Sequence, residues 1–250
     1  MMKKYVLITG ATSGIGKATA IKFLEKGYIS FLIGRARDEL ENIYKKNKKN
    51  CFIFQCDLKK EKERKNLCEF VFSKTNYLNV LINSAGIIKI ASIEKTSLKE
   101  FKEMMEINLY APFHLIKLLL PLIKNAKGSI VNVSSVTGKR AFANALSYCT
   151  SKAALDQLTR VLSLELAPFG IRVNAVNPGV VITNLHKRSG MNEEEYKTFL
   201  EHSKATHPLG RVGNPEEIAE LIYFLSSDKA SWITGETISI DGGRSQTCLR

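Results

Sequence analysis

The chain has 250 residues, 44% hydrophobic and 24% charged, with 16 Gly and 6 Pro. That balance suits one globular unit with a sizeable core and excludes collagen-like, low-complexity and disordered classes. The net charge of +13 is mostly lysine, dense over Lys45–Lys65. Such runs usually coat solvated faces, and no aromatic-studded basic module accompanies this one, so nucleic acid is not the expected partner. A basic surface of this kind draws in anionic ligands, nucleotide phosphates among them.

The elements alternate. Tyr5–Thr9 is a short apolar run that ends in a glycine cluster. Ile15, Ala18, Ile21 and Leu24 follow at near-helical spacing until Gly27. Ser30–Ile33 predicts a second strand, followed by a charged helix to about Lys48. Cys51–Gln55 predicts a third strand, Glu61–Thr75 a third helix and Val80–Asn83 a fourth strand. Two helices are predicted next, Leu98–Leu109 and Pro112–Asn125, then a strand at Ser129–Ser134. Ala145–Ala167 predicts a long helix with a core stripe of Leu155, Leu158, Leu162 and Leu166. Strand Ile171–Val176, helix Ile218–Leu225 and strand Thr237–Ile240 complete the order. Thr183–Val212 is polar and irregular apart from a helix at Glu193–Ser203, the pattern of a lid.

This alternation predicts an α/β fold of parallel βαβ units, a doubly wound parallel sheet with helices on both faces. The apolar stretch around Leu115–Ile123 is far short of the ~20 residues of a membrane span, so no membrane is expected. The first strand begins at Tyr5, which leaves no room for a signal peptide, and cysteines 51, 56, 68, 149 and 248 match neither a disulfide framework nor a zinc site. A cytoplasmic protein without bound metal is the expectation.

Three constellations carry chemistry. Thr9-Gly10-Ala11-Thr12-Ser13-Gly14-Ile15-Gly16 turns from strand into helix. Its glycines permit a tight turn, a close approach to a pyrophosphate and tight helix–strand packing. At the end of the second strand, where NAD sites carry an acid, stand Gly34-Arg35-Ala36-Arg37. Guanidinium groups suit a 2′-phosphate, which favours NADP(H) over NAD(H). Tyr148 and Lys152 lie at i and i+4, on one helix face, and a neighbouring ammonium would draw the phenol pKa down. Ser134 and Ser135 end the fifth strand, and βαβ sheets place their sites at the carboxyl ends of strands.

Together these motifs resemble the short-chain dehydrogenase/reductase family from Thr9 to Gly243, in the style of its 3-oxoacyl-[acyl-carrier-protein] reductase-like members. Tyr148 and Lys152 match the family's Y-x-x-x-K, and the spacing to the tyrosine selects Ser135 over Ser134. Asn108 matches its helix asparagine, and Asp57 its adenine contact. Asn83-Ser84-Ala85-Gly86 matches N-N-A-G with Ser84 for Asn, and Pro178-Gly179 through Thr183 matches P-G-x-x-x-T.

The resemblance implies a single-domain Rossmann-type fold over 1–250, with a cofactor half to about 135, a catalytic half from 136 and a lid over 183–212. It implies an oxidoreductase that transfers hydride between NADP(H) and an alcohol/ketone pair, either 3-oxoacyl or general carbonyl. The catalytic set is Asn108, Ser135, Tyr148 and Lys152. Cofactor contacts come from Gly10, Thr12, Ser13, Gly14, Ile15, Gly16, Arg35 and Asp57. Others come from Asn83, Ala85, Gly86, Tyr148, Lys152, Pro178, Gly179, Val181 and Thr183. The substrate would be a small carbonyl compound or an acyl thioester, and the assembly a homotetramer. For that assembly the sequence offers a second apolar stripe: Phe113, Leu118, Leu119, Leu122, Val161 and Leu164. The competing reading is a non-catalytic NADP(H)-binding interaction protein with a basic, nucleic-acid-contacting surface. Loss of Ser, Tyr or Lys would mark it, and all three are present.

Overall fold

The computed structural model describes residues 3–247; Cys248 lies outside them. Seven parallel strands form one sheet in the order β3-β2-β1-β4-β5-β6-β7. They are β1 Tyr5–Thr9, β2 Ile29–Gly34, β3 Cys51–Gln55, β4 Val80–Asn83, β5 Ser129–Val133, β6 Arg172–Pro178 and β7 Thr237–Ile240. Most strands are buried on both faces, and side-chain alternation divides them between two cores. Val6, Ile8, Leu32, Val80 and Ile82 point to one face. There they meet helices α1 (Gly14–Glu25), α2 (Arg37–Lys46) and α9 (Pro215–Ser226). Leu7, Phe31, Ile33 and Leu81 point to the other, against α3 (Glu61–Phe72) and α5 (Ala111–Ala126). Continuous apolar strands are what a sheet covered on both sides requires. The fold is the expected α/β Rossmann-type arrangement.

Two helical expectations change. The segments read as separate helices form one uninterrupted run, α4 (Leu98–Met105), a π-helical turn (Glu106–Tyr110) and α5. Pro112 has no N–H to donate, and the wider turn ahead of it accommodates that loss without a break. The whole of Leu98–Ala126 is long and apolar enough to cross a bilayer, yet half of its most apolar window is buried inside the fold. It is a core helix: Leu115, Leu119, Leu122 and Ile123 pack in the second core. Leu119 and Leu122 therefore leave the proposed outer stripe, while Phe113, Val161 and Leu164 are exposed.

The long helix α6 (Leu146–Leu166) also departs from its expected stripe. Leu155 and Leu166 are buried, but Leu158 and Leu162 are only half-buried. Most of the buried face is polar: Ser147, Ser151, Lys152, Asp156, Thr159 and Ser163. Those groups pair inward, as Asn132 Nδ2 does with Thr159 Oγ1 at 2.9 Å. Thr183–Val212 is more regular than expected, with a short helix α7 (Leu185–Arg188) and a longer α8 (Glu193–Thr206) capped by Asn192 and Glu195.

Candidate active site

Strand order reverses between β1 and β4, and the crevice at their carboxyl ends is the natural ligand site of such a sheet. Thr9 closes β1 there; its hydroxyl accepts the backbone N–H groups of Ser84 and Ala85, each at 3.0 Å. A cavity of about 370 Å³ opens over this point. Gly10, Thr12, Ser13, Gly14, Ile15 and Gly16 line one end, with Arg35 and Asp57 beside them. Ala85, Gly86, Pro178, Gly179, Val181 and Thr183 line the middle, and Ser135, Tyr148 and Lys152 the far side.

The glycine turn is built for backbone approach. Gly10 has φ +69°, and a Cβ there would sit 3.0 Å from the Ala85 backbone. A Cβ on Gly16 would lie 2.7 Å from the Gly10 carbonyl carbon and closer still to its oxygen. Ser13 is the N-cap of α1 but makes no side-chain capping bond. The first N–H groups of α1, at the positive end of the helix dipole, are thus left without a side-chain cap beside the cavity. This cradle fits the diphosphate of a dinucleotide.

Arg35 lines the cavity, whereas Arg37 is tied to Glu41 by a 2.7 Å bond and is largely exposed. The two arginines therefore are not equivalent. Asn83 does not line the cavity either: it is buried, and its amide donates to Asn132 Oδ1 at 2.9 Å. As a strand residue it ties β4 to β5 from inside.

At the end of β5 the Ser134 hydroxyl donates to the Lys152 carbonyl at 3.3 Å. Ser135 is left facing Tyr148, whose phenol it draws down against burial; its own hydroxyl accepts the Thr137 N–H at 3.1 Å. Lys152 is buried and its Nζ donates to the Val133 carbonyl at 2.7 Å. Asn108 stands behind, in the π-helical turn. Its Nδ2 donates to the Ile87 carbonyl and to Ser151 Oγ, both at 3.0 Å, and its Oδ1 accepts the Ile87 N–H.

One electrostatic expectation is corrected. Burial pushes the Tyr148 phenol up to about 12, with Ser135 opposing, and Lys152 is not among the groups that shift it. The ammonium is engaged with the Val133 carbonyl and lies 5.8 Å from the ring centre. Desolvation outweighs the expected pull, so the phenol is held protonated, as a proton donor must be. Burial also draws Lys152 down to about 8, against the opposing charge of Asp156.

Four side chains of this region were not singled out as site residues in the sequence. Ser151 holds Asn108; a serine one helical turn past the tyrosine carries no signal of its own. Arg188 of α7 donates to Ser13 Oγ at 2.9 Å, which brings α7 onto the glycine turn. His207 accepts the Val180 N–H at Nε2 (3.1 Å) and bonds the Ser203 carbonyl at Nδ1 (2.6 Å). Asp156 lies one turn beyond Lys152.

Residues 10–245 match the family model described as Enoyl-(Acyl carrier protein) reductase. The chain is 39% identical over 250 residues to a 3-oxoacyl-[acyl-carrier-protein] reductase FabG of Buchnera aphidicola, covering 98% of each. It is 37% identical over 246 residues to an NAD-dependent glycerol dehydrogenase of Listeria innocua, covering 96% of this chain and 93% of that one. A short-chain dehydrogenase/reductase of Caenorhabditis elegans, solved with cofactor, superposes with TM-score 0.91 at 33% identity, covering 98% and 96%.

Proposed function

The chain belongs to the short-chain dehydrogenase/reductase family and is an NAD(P)-dependent oxidoreductase acting on CH–OH groups; from that premise we propose that it is an NADPH-preferring carbonyl reductase of the 3-oxoacyl type. The observation that carries this reading is the convergence of Ser135, Tyr148 and Lys152 on the cavity that the glycine turn opens.

The dinucleotide, when bound, supplies the hydride; the chain's own residues do the rest. Gly10, Gly14 and the α1 N-terminus would hold its diphosphate, and Arg35 its 2′-phosphate. Ser135 donates a hydrogen bond to the substrate oxygen and orients the carbonyl. Tyr148, held protonated by burial, gives that oxygen its proton. Lys152 would bind the nicotinamide ribose. Asn108, anchored to Ile87 and Ser151, keeps the π-helical turn in place behind Lys152 and steadies a water that returns the proton. Pre-set donors aimed at developing oxyanion charge lower the barrier without reorganisation.

For the substrate, the cavity mouth combines Ile88, Ile90, Phe142 and Leu185 with His202 and Arg244. Apolar walls with basic groups suit an acyl thioester, and the Buchnera relative carries that activity in its name. The Listeria relative is named for NAD and glycerol, so the cofactor choice rests on Arg35. A panel of acyl thioesters, quinones, steroids and sugars, followed by NADPH absorbance, tests the reading. Turnover of the thioesters supports it, and turnover of sugars with NAD alone overturns it.

We also propose a homotetramer. Phe113, Val161 and Leu164 leave apolar surface on the helices that carry the site, and Trp232 is 99% exposed near the edge strand β7. A self-complementary pairing across a two-fold axis would cover such patches. A monomer mass by light scattering at micromolar concentration, with full activity, would contradict it.

A further inference from the structure

Behind the reacting groups lies a buried carboxylate that the reaction scheme does not use. Asp156 is 1% exposed, on the same face of α6 as Lys152 and four residues on. Its Oδ2 accepts the Asn177 amide at 2.8 Å, and that same Nδ2 donates to the Ser135 carbonyl at 2.8 Å. One amide of β6 thus joins Asp156 to the backbone of the serine. Gly138 keeps the space open, since a Cβ there would overlap Oδ2.

The other oxygen, Oδ1, is buried without a hydrogen-bond partner among the described residues. An amide of the same shape would satisfy Asn177 equally well, so packing alone does not call for an acid. Burying a carboxylate costs free energy unless an opposite charge repays it. Its neighbours are few. On α6 it faces Lys152 and Arg160; from the β5 end it faces Ser134, and from β6 Asn177. Arg160 is exposed and bonded to Gln157 and Thr237. Burial by itself pushes the Asp156 carboxyl up, towards its neutral form. Lys152, one helical turn back, is the buried cation beside it, close enough to act through its charge but not in a direct ion pair. It is faced in turn by Tyr148 and Asp156 from α6, by the Val133 carbonyl from β5 and by Gly86 from the loop after β4.

We propose that Asp156 is a positioning residue for the reaction: its charge keeps Lys152 an ammonium, and its bond to Asn177 fixes Ser135. This rests on the carbonyl-reductase reading above. Burial alone pulls Lys152 towards its neutral form near working pH, and Asp156 opposes that pull. The two tasks separate by substitution. Asp156→Asn keeps an oxygen for Asn177 and removes the charge. Asn177→Ala keeps the carboxyl and removes the bridge, at the cost of one hydrogen bond that favours the ionised carboxyl.

The test is the pH profile of kcat/KM for NADPH-dependent reduction. In Asp156→Asn the alkaline limb should move towards acid by about one pH unit, the low end of what an opposite neighbouring charge contributes. Asn177→Ala should lower kcat at every pH, by up to about tenfold, and move the limb less than Asp156→Asn does. An Asp156→Asn profile that superimposes on wild type overturns the proposal, whatever happens to kcat. Should that variant not fold, the wild-type protein decides. It has only five aspartates (38, 57, 156, 228 and 241), so a carboxyl-labelled NMR titration resolves Asp156. An Asp156 carboxyl still protonated at pH 7 overturns the proposal; an ionised one supports it. A wild-type chain that reduces no carbonyl strikes the activity reading instead, and the NMR titration still judges the charge on Asp156.

Discussion

Arg35 and Arg37 look alike in the sequence, and the structure gives them different futures. Arg35 lines the cavity beside the glycine turn, while Arg37 is 67% exposed and held by Glu41. Replacing Arg35 with Ala removes the partner proposed for the 2′-phosphate. A hydrogen bond to a charged group is worth about 1.5–3 kcal/mol, or about 10- to 150-fold in kcat/KM. Arg35 is itself exposed, and solvent screening places the expected loss near the low end, about tenfold. NADH should be unaffected, because it has no phosphate there. Arg37→Ala should cost less than about fivefold, since a surface ion pair is worth ~0–1 kcal/mol. Arg35→Asp should go further and reverse the preference, because repulsion then replaces attraction. The assay is steady-state kinetics with both cofactors on one substrate. Equal or better wild-type kcat/KM with NADH would rule out Arg35 as a 2′-phosphate partner, as would an Arg37→Ala loss as large as that of Arg35→Ala.

Gly16→Ala should abolish cofactor binding or cost at least ~1–3 kcal/mol of stability, because the new methyl meets the Gly10 backbone rather than a yielding side chain; an unchanged melting temperature and cofactor Kd would contradict this. His207 should make the fold acid-sensitive. Burial lowers its pKa, and its two hydrogen bonds define the neutral ring with Nδ1 as donor. The unfolded chain takes up the proton below about pH 6.5 and the folded chain does not, so stability falls as pH drops from there. Urea unfolding at pH 7.5 and 5.5 should show a smaller acid loss in His207→Leu than in wild type. The lid should order over the bound cofactor through Arg188 and Ser13. Hydrogen exchange across 183–212 that is identical with and without cofactor, or equally slowed in wild type and Arg188→Ala, would count against that.

Much of the fold was legible because the strands are short, apolar and punctuated. β1, β3, β4 and β7 begin and end where periodicity and turn residues place them. The parallel order followed from alternation of strand and helix. The helices were harder. Pro112 reads as a helix start, and only the observed π-helical turn shows a continuous run that carries Asn108. The polar face of α6 was hidden for a related reason: leucine spacing marks apolar surface, but it cannot say that Thr159 and Asp156 will find partners inside. The glycine turn and Tyr148-x-x-x-Lys152 were visible because their chemistry lies in local spacing. Arg188, His207 and Asp156 act through residues 21 to 175 positions away, and no local pattern announces such pairs. The direction of the Tyr148 shift failed similarly, since burial is a property of the whole fold.

The proton donor proposed for this cavity is Tyr148. Tyr148→Phe keeps the ring in its buried place and removes only the hydroxyl. NADPH titration and single-turnover reduction on the same preparation separate binding from chemistry. The cofactor Kd should rise by no more than about tenfold, the scale of one lost hydrogen bond, with reduction slowed at least ~10²-fold, the scale of a lost general acid. Wild-type turnover by Tyr148→Phe on any carbonyl the parent reduces would contradict it.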